Sequence, residues 1–439
     1  MQRFKLSKHL LKIPDFPEPG KTLYFQTRTR AQILGDEELA ALLKKIPDET
    51  SFEQQKTLEV LKRMGIVTFE DFDEDALIRK WFETIRNKRQ SLEATILTTY
   101  SCNFACTYCV EGEDHPDIKM DNKTAYRTSQ FVREKFEKHQ PGMVDLVFYG
   151  GEPLLNEEPI QIIVSQVRCF SEERGIPFSF RLITNGSLLT PKKVDELKVM
   201  GLRQVKVTLD GTREFHNKRR PFRNGKPSYD IIMNNIDYAA TKVLVHIGGN
   251  FDRENADSMI QLLEELDTRG LRDKIAMVSF KPISKSIPDI ENPVRPGTEL
   301  RCDYADPETA HTVFKLWKEA RIRGFKVLKT VGMDLCSMTT NPLMFVIDPK
   351  GKIFRCPAFV GYNNFISGDI YRGEEERLPA RNIEEECLRC PYVPLCGDGC
   401  SYASFVLYGD ENKRVCQKDY MEYIVKENIK FNYRLSHSM

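Results

Sequence analysis

Between Leu92 and Pro282 the chain alternates between two hydrophobic rhythms. Short runs rich in β-branched and aromatic residues, at 94–99, Val144–Tyr149, Phe178–Thr184, 204–209, 243–248 and 276–280, read as strands. Longer stretches separate them, with apolar residues at helical spacing, as in Asn122–His139 and 255–269. Six repeats of strand then helix predict an α/β fold with a parallel sheet and right-handed crossovers. In such sheets and barrels, ligands bind beyond the carboxyl ends of the strands. Four segments fall at those ends: the 102–109 loop, Gly150-Gly151-Glu152-Pro153, Asn185-Gly186 and Asp210-Gly211.

The pattern before residue 90 is different. Runs at 7–13 and 22–27 read as strands flanking a turn-rich 14–20 segment. Asp36-Glu37-Glu38 opens a helix with Leu39, Leu42 and Leu43 on one face. Ser51 and Gln54 form the capping box of a second helix, Leu58, Leu61 and Met64 follow at helical spacing, and Gly65 stops it. With Gly65-Ile66-Val67-Thr68 beyond, residues 1–90 predict a small winged-helix-like domain. Two roles stand open for it: packing against the rest of the chain, or docking a peptide as an added strand. After the 91–285 core, 286–335 reads as a polar linker with a helix at 307–323, and 336–439 forms a cysteine-rich C-terminal region.

Composition narrows the chemistry. Across 439 residues the formal net charge is +1, which gives no support for bulk nucleic-acid binding. Lys218-Arg219-Arg220 reads as solvated surface. No apolar run is long enough to span a bilayer, and the first eight residues lack the apolar stretch of a signal peptide, so the expectation is a cytoplasmic protein without membrane attachment. Thiols stay reduced there, so 12 cysteines point to metal or iron–sulfur ligation rather than disulfides. Ten of the 12 fall in two groups; Cys169, read as core packing, and Cys302 stand apart.

The first group is Cys102-x3-Cys106-x2-Cys109, with Tyr108 before the last cysteine. Three thiolates can hold three irons of a four-iron cluster and leave the fourth open to a small molecule. The second group runs Cys336, Cys356, then Cys387-x2-Cys390-x5-Cys396-x3-Cys400, then Cys416. By spacing alone this group suits structural zinc as well as clusters.

Cys102, Cys106 and Cys109 after a first strand, Tyr108 among them, and Gly150-Gly151-Glu152-Pro153 after the second together resemble the radical S-adenosylmethionine superfamily, over roughly 92–282. The resemblance implies a partial (β/α)6 TIM-like barrel. It also implies a [4Fe-4S] cluster whose open iron takes the amine and carboxylate of S-adenosylmethionine, one-electron cleavage to a 5′-deoxyadenosyl radical, and a reducing donor such as flavodoxin or ferredoxin. Gly150, Gly151 and Glu152 would hold the methionine amine, and Asn185, Thr208 and Asp210 would meet the ribose or methionine end. Arg220 would pair with the carboxylate, in a His216-Asn217-Lys218-Arg219-Arg220 run where Asn217 stands in place of the superfamily's acid. The spacing from Cys336 to Cys416 resembles the auxiliary-cluster SPASM domain of radical peptide-maturing enzymes. It implies two more [4Fe-4S] clusters, the first on Cys336, Cys356 and Cys400, the second on Cys387, Cys390, Cys396 and Cys416. Where several relatives carry one further cysteine for the first cluster, 329–335 has none, leaving either an open iron or a ligand from Cys302.

That resemblance implies a radical SAM/SPASM oxidoreductase acting on a ribosomally made precursor peptide with a leader segment, most simply by a cross-link such as a thioether. Formylglycine formation on a sulfatase is disfavoured because Pro357, not an acid, follows Cys356. Epimerisation needs a hydrogen donor, for which Cys302 is the candidate. An iron–sulfur electron carrier or scaffold is the non-enzymatic alternative.

Overall fold

The computed structural model describes residues 3–46, 51–86, 91–112, 116–292, 298–303, 306–328, 335–374, 383–397 and 399–437. The N-terminal part is built from β1 (Phe4–Leu6), β2 (Leu10–Pro14), β3 (Thr22–Gln26), β4 (Gln32–Gly35), α1 (Glu37–Lys45), α2 (Phe52–Met64), β5 (Val67–Phe69) and α3 (Glu74–Arg86). The strand expected at 7–13 starts only at Leu10: Ser7 turns the chain between β1 and β2 and bonds the buried Glu74 at 2.6 Å. Strands β2, β3 and β4 form an antiparallel sheet, and β1 pairs with β5. The helix signals hold locally. Asp36 caps α1, Ser51 and Gln54 complete the capping box of α2, and Gly65 ends it at φ 78°, a conformation costly for any residue with a Cβ.

The core follows as β6 (Leu92–Leu97), α4 (Asn122–His139), β7 (Val144–Tyr149), α5 (Glu157–Glu173), β8 (Phe178–Thr184), α6 (Pro191–Val199), β9 (Leu202–Thr208), α7 (Arg213–Arg219), α8 (Tyr229–Ala239), β10 (Leu244–Phe251), α9 (Ala256–Thr268) and β11 (Ile275–Pro282). These six strands are parallel and lie side by side in chain order, as six strand–helix repeats require. Alternation divides their two faces. Leu146, Phe180, Leu182, Val205, Val207, Val245 and Ile247 are fully buried in the main core, while intervening residues face the other way. The result is a mixed α/β fold with a parallel-dominated sheet.

Beyond the barrel come α10 (Ile287–Glu291), inside the stretch read as linker, and α11 (Pro307–Ile322). Then follow α12 (Ser337–Thr340), β12 (Met344–Ile347), β13 (Lys352–Phe354), β14 (Gly368–Asp369), β15 (Gly373–Glu374), α13 (Glu385–Leu388), α14 (Val393–Cys396), α15 (Ser401–Tyr408) and α16 (Lys418–His437). Strand β12 is a seventh parallel strand, pairing with β6 from Met344 opposite Glu93 to Ile347 opposite Ile96. The cysteine-rich region is thereby joined to the barrel through one sheet. Ile78 and Phe82 of α3 pack on Ile383, Leu388 and Val393, and Thr27 bonds the carbonyl of Pro391 at 2.6 Å. The N-terminal part therefore rests on the cysteine-rich region.

Among the described residues, no helix is long and apolar enough to cross a membrane.

Candidate active site

The 102–109 loop leaves β6 and is stitched to the segment after α7. Ala105 N–H donates to the Pro221 carbonyl and Thr107 N–H to that of Arg219, at 2.9 and 3.0 Å. Arg223 bonds the Cys102 carbonyl at 2.8 Å, and the buried Phe104 meets Phe222 edge-on at 4.8 Å. The apolar residue between the cysteines thus pins the loop, and Arg220 is brought over it.

Cys102, Cys106 and Cys109 line one cavity of about 380 Å3, in the range of small-molecule sites. Gly150, Gly151, Asn185, Thr208 and Arg220 line it too, from the carboxyl ends of β7, β8 and β9 and the turn after α7. Burial pushes the Cys102 thiol up to about 12 and raises those of Cys106 and Cys109; Cys106 adds to the shift at Cys102, Asp210 and Glu111 add at Cys106, Glu111 and then the neighbouring thiols add at Cys109, and Arg220 opposes it at Cys102 and Cys106. Thiols that resist ionisation alone give up their protons when a cation replaces them. Among the described residues, no three His, Cys, Asp or Glu groups converge on one ion position; a cluster needs no such convergence, because each thiolate binds a different iron. The donor set and the cavity fit an iron–sulfur cluster beside a small cofactor.

The glycines are demanded by the loop. A Cβ on Gly151 would lie 2.2 Å from the Ser101 carbonyl oxygen, and Gly150 has φ 125° with the Thr99 oxygen 2.6 Å from where its Cβ would be. Glu152 is placed differently from its neighbours. It is 0% exposed and outside the cavity lining; its carboxylate accepts from Thr184 Oγ1, Asn185 N–H and Leu154 N–H. Burial pushes it up to about 7 against those bonds. It shapes the β8 end beneath the cavity.

Tyr108 is the hub of the opposite wall. Its phenol oxygen bonds Asp210 Oδ2, accepts from Arg220 Nη1 at 2.6 Å, and meets Asn250 Nδ2 at 3.1 Å. Asp210 also accepts from Asn250 N–H at 2.8 Å. Burial raises the Asp210 carboxyl, and Arg220 works against that shift. Asn185 donates to Asn103 Oδ1 at 2.8 Å, and Asn103 donates in turn to Ser187 at 2.9 Å. Asn217, in the acid's place, caps α8 by accepting from Ser228 and Tyr229 N–H at 2.9 and 3.0 Å. His216 is buried, and burial drives it far below its usual range, so it is neutral.

The family model described as the radical SAM superfamily matches residues 96–266, the segment that carries the loop, the glycines and Arg220. This is a radical SAM domain. It marks the chain as an enzyme. The cysteine-type anaerobic sulfatase-maturating enzyme of Clostridium novyi is 24% identical over 332 residues, covering 68% of this chain and 85% of that one. Another curated match covers 51% of its partner's length. A solved structure described as native anSMEcpe with bound AdoMet and Cp18Cys peptide has a TM-score of 0.62 at 17% identity, over 79% of this chain and 99% of that one. Streptococcus suis SuiB bound to precursor peptide SuiA has a TM-score of 0.54 at 15% identity, over 94% and 98%. At these identities the structures establish a shared fold.

The radical SAM site is closed from outside the barrel. Ser284 and Ser286 beyond β11, and Ala358 and Tyr402 from the cysteine-rich region, also line the cavity. Sequence reasoning missed these, and missed Asn103 and Asn250. Continuing the two-residue alternation of β10 past 248 finds Asn250; no local pattern signals the others.

In the cysteine-rich region, Cys356 is raised to about 12 by burial, with Cys400 and Cys336 adding to the shift; Cys390 is raised by burial, with Cys387 and Cys416 adding. Arg414 Nη1 lies 3.1 Å from Cys387 Sγ. Residues 329–334, where the extra cysteine is missing, lie outside the described residues.

Two readings change. Cys169 is exposed beside Glu173, on the solvent face of α5 rather than in the core. Arg219 and Arg220 are 4% and 9% exposed, and Arg219 bonds Asp252 at 2.7 Å, so Lys218 alone of the basic run is exposed. Cys302 is buried against the Phe251 carbonyl, and the charges acting on it come from Asp252, Arg253 and Asp306.

Proposed function

We propose that this enzyme modifies a ribosomally made peptide by a radical cross-linking reaction. The observation that carries the reading is the convergence of Cys102, Cys106, Cys109, Gly150, Gly151 and Arg220 on one cavity that Ala358 and Tyr402 of the cysteine-rich region help to close. The three thiols would hold a [4Fe-4S] cluster, and Gly150, Gly151, Asn185, Thr208 and Arg220 would surround S-adenosylmethionine, with Tyr108 joining Arg220 to Asp210, which is fully buried and outside the cavity lining. When bound, these cofactors supply a 5′-deoxyadenosyl radical able to take a hydrogen atom from a substrate. The chain's own groups do the rest. Close backbone approach at Gly150 and Gly151 leaves room for a ligand ammonium, the Arg220 guanidinium suits a carboxylate, and the apolar wall of Tyr149 and Ile183 limits water.

Cys336, Cys356 and Cys400, and separately Cys387, Cys390, Cys396 and Cys416, are proposed as ligands of two auxiliary clusters that accept the electron left by bond formation. A peptide substrate is supported by the precursor peptide in SuiB and the Cp18Cys peptide in anSMEcpe, both distant in sequence. The N-terminal three-stranded sheet offers strand edges to a leader peptide. Formylglycine formation is the second reading, favoured by the similarity to the Clostridium novyi enzyme.

The test is anaerobic reconstitution, reduction, and reaction with a precursor peptide encoded beside the gene. Loss of two hydrogens from the peptide means a cross-link, whereas deuterium uptake from heavy water without mass loss in ordinary water means epimerisation. Conversion of a sulfatase peptide alone means formylglycine formation. Replacing Cys102, Cys106 and Cys109 by Ala should abolish 5′-deoxyadenosine production; retained production overturns the assignment.

A further inference from the structure

Two lysines on the cavity face of the barrel have no use in the chemistry above. Parallel strands in register point matched residues to the same side. Ile183 and Thr208 line the cofactor cavity; Lys206 is the register partner of Ile183, and Gly248 that of Thr208. Asn250 lines the cavity as well, and its partner is Lys281. The same face of β10 and β11 carries His246 and Ser279, joined at 2.7 Å. The Lys206 stem crosses β10 at Gly248, where a Cβ would lie 2.6 Å from its Cε.

Neither ammonium has a hydrogen bond or ion pair among the described residues. Deeper in the barrel the acids Glu93 and Asp145 are already taken by Arg181. Burial, and then the charge of Lys281, pushes Lys206 down to about 8. Burial and the two lysines push His246 down to about 3, so it is a neutral hydrogen-bonding group. A mostly buried lysine held beside a second lysine is costly unless an anion joins them. Lys281 is exposed on β11, the last strand of the parallel sheet.

We infer that Lys206 and Lys281, with His246 and Ser279 between them, form a carboxylate-binding subsite that seats an acidic group of the peptide substrate beside the cofactor cavity. The identity of the ligand as a peptide rests on the function proposed above; the anion site itself does not.

Amine labelling of the reconstituted protein under anaerobic conditions tests it, with each lysine read by mass spectrometry. At pH 8 roughly half of Lys206 is free amine, against under about 1% of an ordinary lysine, so Lys206 should label far faster than surface lysines. Glutarate at about 10 mM should slow its labelling roughly threefold or more, by restoring the charged form. Glutaramide and matched potassium chloride should not, and Lys281→Met should weaken the glutarate effect. Equal protection by glutaramide or by salt, or no protection by glutarate, overturns the subsite. Equal protection by S-adenosylmethionine alone also overturns it, by giving the pair to the cofactor. With a precursor peptide as probe, changing its acidic side chains to amides, or its C-terminal carboxyl to an amide, identifies the carboxylate that enters; protection that survives both changes overturns the proposal. Protection by glutarate with no peptide modified would leave the subsite standing and remove the peptide reading.

Discussion

The Arg220 guanidinium donates to the phenol oxygen of Tyr108 at 2.6 Å, across 112 residues of chain. That bond ties the turn after α7 to the cysteine loop. Asp210 and Asn250 share the same oxygen, so four residues, from two strand ends, the cysteine loop and the turn after α7, form a single polar cluster.

Tyr108→Phe keeps the ring and deletes the shared oxygen. Asp210 then retains Asn250 N–H, with Arg220 3.8 Å away. Leaving buried polar groups short of a partner costs about 1–3 kcal/mol. The expected result is a lowered urea midpoint with an unchanged slope, measured on the apoprotein so that cofactor loss does not contribute.

Gly151→Ala places a methyl against two carbonyl oxygens, at 2.2 and 2.4 Å, that belong to the start of the cysteine loop. Neither can retreat without moving Cys102. Reconstituted Gly151→Ala protein should hold markedly less iron at the loop than the parent, read by iron and sulfide analysis.

Glu152→Ala removes the acceptor for Thr184 Oγ1, Asn185 N–H and Leu154 N–H at once. A loss of about 3 kcal/mol or more is expected, with Asn185 released from its place in the cavity wall. Denaturation gives the energy, and S-adenosylmethionine affinity of the folded fraction gives the second readout.

His246 predicts a pH dependence. Its folded pKa is about 3, lowered first by burial and then by Lys206 and Lys281, against 6.5 unfolded. The unfolded chain therefore binds more protons between those values, and the group's contribution is present above pH 6.5 and lost as pH falls toward 3. The window corresponds to a few kcal/mol, on the order of one per unit. Stability measured from pH 7 to 4 should fall less steeply in His246→Gln than in the parent; an identical slope contradicts the assignment.

Much of this was legible in the chain. The six core strands and the helix Asn122–His139 follow from periodicity, because an α/β repeat buries strands completely and leaves helices amphipathic. Asp36, Ser51 and Gly65 act where their side chains, or the lack of one, interact within a turn of their own position. Local chemistry of that kind needs no knowledge of distant contacts. Strand β4 and helix α3 were not legible, since their sequences, short or highly charged, become structure only by packing on neighbours.

The sequence by itself determined the three-cysteine loop, its glycine-rich companion and their place at strand ends, because ligand spacing and strand–turn order are properties of the chain. Tertiary structure decided the use of each group. Glu152, two residues from a glycine of the cavity wall, turned beneath the wall because two N–H groups and a hydroxyl there need an acceptor. Arg220 met Tyr108 because Phe104 and Phe222 bury each other and carry the two loops together. Lys206 and Lys281, 75 positions apart, came to share one side of the barrel because parallel register, set by the whole sheet, puts Lys206 opposite His246 and Lys281 opposite Asn250 on the same face.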